Sequence, residues 1–159
     1  MSVTDSGTLH HTCFVVNDIE KTAEALANAL DIKWNVWMLE PADSTVHGKK
    51  MPISMRIALA QIGEMSFELI EPRSDESIYA EHLRSKGEGF HHTCIIYPSV
   101  EAVQAARDEL ISQGREMVQS VNLGEPGEFY YFDLKETGST LEVLYLNGEK
   151  LPASEMSIG

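Results

Sequence analysis

The chain has little cysteine, no long apolar run and few basic residues. Its two cysteines, Cys13 and Cys94, do not form a CxxC arrangement, so neither a thiolate metal site nor a redox motif is indicated. No stretch approaches the roughly 18 to 20 apolar residues that a membrane helix needs, and residues 1–9 lack the basic start and apolar core of a signal peptide. We therefore expect a cytoplasmic protein that does not enter a membrane.

Basic residues are only about half as frequent as acidic ones. Lys and Arg total 12 and Asp and Glu total 25, which gives a formal net charge of −13. Because such a surface repels phosphate backbones, we expect no nucleic-acid partner. A local cluster of Lys49, Lys50 and Arg56 still allows a small anionic ligand, although a solvated charged face is the simpler interpretation.

The most informative pattern is an internal repeat. The tetrapeptide His-His-Thr-Cys occurs at residues 10–13 and again at residues 91–94, an offset of 81 residues. Each copy continues as an apolar stretch, then as an oxygen-bearing capping residue, Asp18 or Ser99, and then as an apolar pattern with helical spacing. The repeat therefore predicts two copies of a strand that is followed by an amphipathic helix.

Three further extended segments follow each predicted helix. They cover residues 33–39, 52–61 and 65–71 in the first copy and residues 116–121, 128–134 and 140–145 in the second. The linker between the copies contains a short predicted helix at residues 76–84. We predict an α+β fold in which two tandem βαβββ modules, 9–72 and 89–146, form one cupped, eight-stranded mixed sheet. Residues 1–150 are expected to be a single domain, and residues 151–159 a flexible tail with little to bury.

The first strand of each module carries a pair of histidines. Side chains alternate between the two faces of a strand, so His11 and His92 share a face with the cysteine that follows them. If the large apolar residues face the helices, His11 and His92 point into the cup. His10 and His91 would then lie on the helix side or at the mouth of the strand.

The last strand of each module carries a single carboxylate amid apolar residues. These carboxylates are Glu68 and Glu142, and burying either without a partner would be costly. Together with His11 and His92 they form a set of two nitrogens and two oxygens, which suits one divalent ion such as Co, Mn, Ni, Zn, Fe or Mg. Such a set leaves two octahedral positions for substrate oxygens, where the ion could stabilise an enolate or enediolate. The alternatives are structural histidines and carboxylates that pair with cations.

The other candidate residues have weaker support. His47 and His82 lack a matching context and are interpreted as surface residues. Cys13 and Cys94 share the predicted ligand face, but we interpret them as small core residues. The aromatic stretch at residues 129–133 either lines a pocket for an apolar substrate or is an ordinary alternating strand.

Five short motifs resemble those of the vicinal oxygen chelate superfamily, which includes glyoxalase I, bleomycin-resistance proteins, extradiol dioxygenases and methylmalonyl-CoA epimerase. The motifs are Leu-His-His at 9–11, Glu-Leu-Ile-Glu-Pro at 68–72, Asp-Glu-Ser at 75–77, Gly-Phe-His-His at 89–92 and Leu-Glu-Val at 141–143. They are most similar to the epimerase branch. The resemblance implies metal ligands at His11, Glu68, His92 and Glu142, and a homodimer that binds a small molecule, an acyl-CoA in that branch.

Two departures from the epimerase pattern bear on the activity. The epimerases often have Gln where Glu68 stands here, and Glu at this place is similar to glyoxalase I. Their two-base reaction uses a Glu on a strand of the first module, but residues 44–56 contain no Glu or Asp, and the nearby Glu40, Asp43 and His47 do not match that place.

From these features we expect a metal-dependent isomerase or epimerase that transfers a proton next to a metal-chelated carbonyl. Glu142 is the first candidate for the base, and Glu68 is the second. One alternative is a glyoxalase I-like lyase or another small-molecule enzyme of the superfamily. Dioxygenase chemistry is disfavoured, because those enzymes use two His and one carboxylate. The other alternative is a non-catalytic protein that binds a metabolite or drug.

Overall fold

A computed structural model of the protein describes residues 2–159 as three α-helices and one large mixed sheet. The helices are α1 (Ile19–Leu30), α2 (Ile78–Lys86) and α3 (Val100–Ser112). The strands are β1 (Thr8–Val15), β2 (Trp34–Leu39), β3 (Asp43–Val46), β4 (Lys49–Lys50), β5 (Met55–Ile62), β6 (Met65–Pro72), β7 (Gly89–Ile96), β8 (Met117–Asn122), β9 (Gly127–Leu134), β10 (Ser139–Leu146) and β11 (Met156–Ile158). Within the described range, no helix is long and apolar enough to cross a membrane.

The strand order is symmetric about the pair formed by β1 and β7. It runs β11-β2-β5-β6-β1-β7-β10-β9-β8-β3-β4. β1 and β7 are antiparallel to each other, and each is parallel to the last strand of its own module, β6 or β10. This order confirms the predicted α+β fold of two βαβββ modules that share one curved sheet.

The helices α1 and α3 begin where the sequence predicts them to begin, whereas α2, predicted at residues 76–84, spans Ile78–Lys86 after the cap at Ser77. The Asp18 side chain accepts a hydrogen bond from the Lys21 amide (3.0 Å), and Ser99 accepts one from the Ala102 amide (3.2 Å). Asp31 ends α1 in the left-handed region, with φ 54°. These caps satisfy amide groups that the first turn of a helix leaves free, and they fix where each helix leaves its strand.

A hairpin that the sequence analysis did not predict connects the two modules. β3 pairs with β4 across a turn at His47 and Gly48, and its other edge pairs with β8 of the second module. The predicted strand at residues 52–61 begins only at Met55. The first module thus extends the sheet of the second, and this connection places residues 40–43 at the rim of the cup.

The prediction of a flexible tail is wrong for the last residues of the chain. β11 pairs antiparallel with β2, and the Glu155 amide donates to the Val36 carbonyl (2.8 Å). Ile158 is 8% exposed and packs with residues of α1. The edge of β2 would otherwise present unpaired backbone groups, and β11 satisfies them.

Apolar residues fill the sheet on both of its faces. On the outer faces, α1 covers a cluster that contains Trp34, and α3 covers a cluster that contains Phe132. The inner face of the cup holds a third cluster, which includes Cys13, Cys94 and Tyr131. The two cysteines are free and fully buried, as expected for small core residues.

Candidate metal centre

The structure brings together the four side chains that the sequence singles out as ligands. His11, Glu68, His92 and Glu142 lie on the inner face of the cup, and each is at most 5% exposed. His11 Nε2 lies 3.0 Å from Glu142 Oε2 and 3.1 Å from Glu68 Oε2. His92 Nε2 lies 3.0 Å and 3.3 Å from the same two oxygens, and the two Nε2 atoms are 3.2 Å apart. We call these residues the four-residue cluster.

The register of the four central strands explains why the cluster forms. Cys13 lies opposite Glu68 on one side and opposite His92 on the other. Cys94 has the equivalent neighbours, Glu142 and His11. Each Glu therefore lies two strands away from the His of the other module, and a cysteine on the intervening strand lies between them. This arrangement allows four larger side chains to meet above the two cysteines.

The donor atoms fit a single divalent ion. Five of the six donor pairs are 3.0 to 3.3 Å apart, and all six lie within 4.8 Å. Neighbouring donors about 2.1 Å from one ion are separated by roughly 3 Å. Glu68 Oε2 is also buried and accepts no hydrogen bond of suitable geometry, although both imidazoles are near it. Because neither imidazole satisfies Glu68 Oε2 with a hydrogen bond, a metal ion is the partner that best fits this oxygen.

The electrostatics of the cluster favour charged carboxylates. Burial raises the pKa of Glu142, but hydrogen bonds from His11 and His92 outweigh this effect and lower the pKa to about 2. The pKa of Glu68 is lowered for a similar reason, because the charge of His11 outweighs the effect of burial. Burial lowers the pKa of each imidazole, but the two carboxylates, and for His11 also Cys94, raise it by more. The pKa values of both histidines therefore lie above the usual value.

The residues that precede the two ligand histidines do not follow simple alternation. The register of β1 with β7 shifts at His10 and again at His91, so each of these residues occupies a β-bulge. In both pairs the Nδ1 atoms of the neighbouring histidines are 2.8 Å apart, His10 with His11 and His91 with His92. Each ligand histidine can thus donate its Nδ1 proton to its neighbour, which fixes the ring so that Nε2 faces the cluster.

The two bulge histidines have different surroundings. His91 is buried beneath α2, where its ring centroid lies 5.3 Å from that of Tyr79 and 5.2 Å from that of His82. Burial lowers the pKa of His91 well below the usual value. His82 was predicted to lie on the surface, but it packs on His91 and is half-buried. His47 is exposed, as predicted. His10 is half-buried and faces the cavity.

A second group of possible donors overlaps the first. His10, His11 and Cys94 also offer atoms within 4.8 Å of one another. Burial raises the pKa of the Cys94 thiol well above its usual value. A protonated thiol is a poor ligand, so the four-residue cluster is the stronger candidate.

A cavity of about 670 Å³ opens from the cluster to the surface, and we call it the central pocket. Phe129 and Tyr131 line it, while Tyr130 and Phe132 pack near α3, so alternate members of the aromatic stretch face the pocket. Sequence reasoning missed Tyr79, which α2 places in the pocket wall. Its hydroxyl donates to that of Tyr131 (2.8 Å).

Comparison with known families agrees with this fold. Residues 10–132 match the family model described as the Glyoxalase/Bleomycin resistance protein/Dioxygenase superfamily. The match covers more than half of the chain, and the chain belongs to this superfamily, which confirms the resemblance seen in its motifs. No curated protein matches the chain at a significant level.

Several solved structures share the fold over nearly the whole chain. A hypothetical protein from Bacillus halodurans is 24% identical, with a TM-score of 0.63, and the match covers 93% of this chain and 100% of that one. Methylmalonyl-CoA epimerase from Mycobacterium tuberculosis is 18% identical, with a TM-score of 0.65 and coverage of 94% and 95%. A methylmalonyl-CoA epimerase in complex with methylmalonyl-CoA and NH4+ is 18% identical, with a TM-score of 0.65, and the match covers 93% of this chain and 100% of that one. At these identities the likeness is one of fold.

Proposed function

We propose that this protein is a metal-dependent isomerase or epimerase. In this proposal His11, Glu68, His92 and Glu142 hold one divalent ion, and the substrate is a small molecule that binds through two neighbouring oxygens. The observation that carries the proposal is the convergence of four buried donors next to a large pocket, with five of the six donor pairs 3.0 to 3.3 Å apart. Superfamily membership and the epimerases among the structural neighbours support it.

A bound divalent ion would supply positive charge that stabilises negative charge developing on the substrate oxygens. The residues of the chain would move the proton. Both carboxylates contact the two imidazoles through Oε2, and Glu142 is the first candidate because Tyr131, whose side chain lines the pocket, lies directly opposite it in the sheet. Glu68 occupies the equivalent place in the other module and is the second candidate.

The tyrosine pair lies beside the proposed base. Tyr131 is directly opposite Glu142 in the pairing of β9 with β10, so both side chains are on the same face of the sheet. The Tyr131 hydroxyl accepts from Tyr79 and keeps its own proton available for donation. In the proposed reaction the Tyr131 hydroxyl would donate a hydrogen bond to a substrate oxygen and orient that oxygen towards the cluster.

Exchange of the substrate α-proton with solvent tests the proposal. Metal-loaded protein in D2O would be mixed with (2R)-methylmalonyl-CoA or with uncharged α-hydroxy ketones, and deuterium incorporation would be followed by NMR. We expect exchange with at least one substrate class, and loss of at least about 100-fold in rate in Glu142→Gln, the size of effect typical for a general base. Glu64→Gln, at an exposed position, is the control. Full exchange activity in Glu142→Gln would refute the role of Glu142.

A non-catalytic binding protein is the second candidate. One observation favours it, namely the small number of carboxylates that could serve as a second base. Beyond the cluster, the acidic residues that line the pocket are Glu40 and Asp43, and Asp43 bonds to Lys50 (3.2 Å). A protein of this kind would bind its ligand equally well after His11→Ala/His92→Ala. A glyoxalase I-like lyase is also compatible with Glu at position 68. In the same assay it would exchange the α-proton of an α-hydroxy ketone without epimerising methylmalonyl-CoA.

A further inference from the structure

We infer that the central pocket takes an uncharged, largely apolar ligand with two adjacent oxygens at one end, and not a coenzyme A thioester. The inference rests on the proposed function for the position of the oxygens. The character of the ligand body follows separately from the walls and the rim of the pocket.

The walls of the pocket are almost entirely apolar. They are formed by both modules and by the segment that precedes β11, and the apolar lining includes Trp37, Leu39, Ile57, Leu123, Leu146 and Pro152. The volume of about 670 Å³ falls within the range of pockets that enclose most of a drug-sized molecule. A ligand body that fills such walls must itself be apolar, because polar groups placed there would lose their hydrogen bonds to water.

Most polar side chains of the pocket wall lie at its inner end, which is lined by His10, by His11, Glu68 and Glu142 of the cluster and by Tyr79 and Tyr131. Asn122 also lines the pocket, and its Oδ1 already accepts a hydrogen bond from the Gly124 amide (2.7 Å). On the wall, the one indole N–H is already satisfied, since Trp37 Nε1 donates to the Pro152 carbonyl (3.0 Å). The ligand therefore needs its polar atoms at one end only, where they would meet the cluster.

The charge at the rim disfavours phosphate groups. No Lys or Arg is among the lining residues in the range that the structure describes, whereas Glu40 and Asp43 are. Two lysines lie near the rim, and each is already paired, Lys50 with Asp43 (3.2 Å) and Lys150 with Glu125 (3.6 Å). A phosphate at the rim would therefore lie near Glu40 and Asp43 with no lining cation to balance its charge, on a protein whose formal net charge is −13.

The other two members of the basic cluster in the sequence, Lys49 and Arg56, do not line the pocket. Lys49 is exposed on β4. Arg56 and Ile57 are neighbours on β5, so their side chains point to opposite faces of the sheet. Ile57 lines the pocket, and Arg56 therefore points away from it. There it forms an ion pair with Glu20 of α1 (2.8 Å). The structure thus assigns Arg56 to the packing of α1 against the sheet.

Three probes test the inference on zinc-loaded protein. They are 4-phenylbenzohydroxamic acid, acetohydroxamic acid and methylmalonyl-CoA, and binding is followed by titration calorimetry and by tryptophan fluorescence, to which Trp37 contributes from the wall. The two hydroxamates chelate alike, but the first adds two rings. Burying them removes at least about 150 Å² of apolar surface from water, so we expect it to bind at least 30-fold tighter than acetohydroxamic acid. Methylmalonyl-CoA should bind more weakly than the biphenyl probe.

A charge variant provides the matched comparison. Leu123→Arg places a cation at the partly buried rim, and it should weaken binding of the biphenyl probe and tighten binding of methylmalonyl-CoA by about tenfold, the effect of one well-placed ion pair in a partly desolvated site. Ile62→Arg, at an exposed position that does not line the pocket, should change neither. Equal binding of the two hydroxamates, or tighter binding of methylmalonyl-CoA than of the biphenyl probe by the wild-type protein, would overturn the inference.

Failure of the inference and failure of the proposed function can be told apart. Metal content measured on the same samples tests the ion. The non-chelating probe 4-hydroxybiphenyl tests the walls without it. Protein that takes up no zinc but binds 4-hydroxybiphenyl would refute the proposed function and support the apolar pocket. Protein that takes up zinc but binds neither biphenyl probe would support the metal centre and refute the apolar ligand.

Discussion

The pairing of β11 with β2 predicts that the end of the chain is part of the folded domain. Ile158 is 8% exposed and packs with α1, so Ile158→Ala should destabilise the protein. Replacing a buried Ile by Ala costs about 2 to 5 kcal/mol, and a site in a three-residue strand, where the chain can adjust, belongs at the low end. We expect a loss of about 2 kcal/mol, which corresponds to a fall in Tm of roughly 4 to 8 °C for a domain of this size.

Urea unfolding followed by tryptophan fluorescence measures this loss. Ser157→Ala on the same strand is the control, because Ser157 is exposed and loses only its hydrogen bond with Asn35. It should cost less than about 0.5 kcal/mol. Pro152, in the segment before β11, lines the pocket, and its carbonyl accepts a hydrogen bond from Trp37. Because Ile158→Ala loosens β11 and with it this segment, it should also weaken binding of an apolar probe. Equal stability of Ile158→Ala and Ser157→Ala would refute the packing of β11 and, with it, the contribution of this segment to the pocket wall.

Three further predictions concern the cluster and the core. Glu68→Gln should retain more proton-exchange activity than Glu142→Gln at saturating metal, as measured by NMR. Lower activity in Glu68→Gln than in Glu142→Gln would make Glu68 the base in place of Glu142. The raised pKa values of His11 and His92 stabilise metal-free protein below the unfolded-state pKa of about 6.5, and this stability is lost as the pH rises through the folded-state values. The increase in Tm on adding zinc should therefore be larger at pH 8 than at pH 6, and an equal increase would contradict this linkage. The two cysteines are buried, with pKa values raised by burial, so they should react with a thiol reagent only after unfolding.

The sequence was sufficient to predict the features that depend on local patterns. The His-His-Thr-Cys repeat and the caps at Asp18 and Ser99 define the two modules, and the structure confirms their fold. The four ligand candidates could be predicted because they occur in matching places of the two modules. Their convergence depends on the register around the two cysteines, which the repeat makes symmetric.

The features that the sequence could not predict are those that depend on tertiary pairing. β3, β4 and β11 are short, and pairing with an available edge explains them better than their own residues do. β3 pairs with β8, β4 with β3, and β11 with β2. The bulges at His10 and His91 break the alternation from which their directions were inferred. Tyr79 reaches the pocket because of where α2 packs on the sheet. The sequence predicted this helix, but no periodicity in the chain indicates where it packs.

Metal content is the most direct test of the four-residue cluster. Protein purified without a metal-affinity tag would be compared by mass spectrometry with the variants His11→Ala/His92→Ala and His47→Ala. The second variant removes an exposed imidazole that lies outside the cluster. We predict about one divalent ion per chain in the wild-type protein and in the second variant, and loss of the ion in the first. Failure of the wild-type protein to take up Co, Mn, Ni or Zn, or equal uptake by all three proteins, would contradict the proposed metal centre.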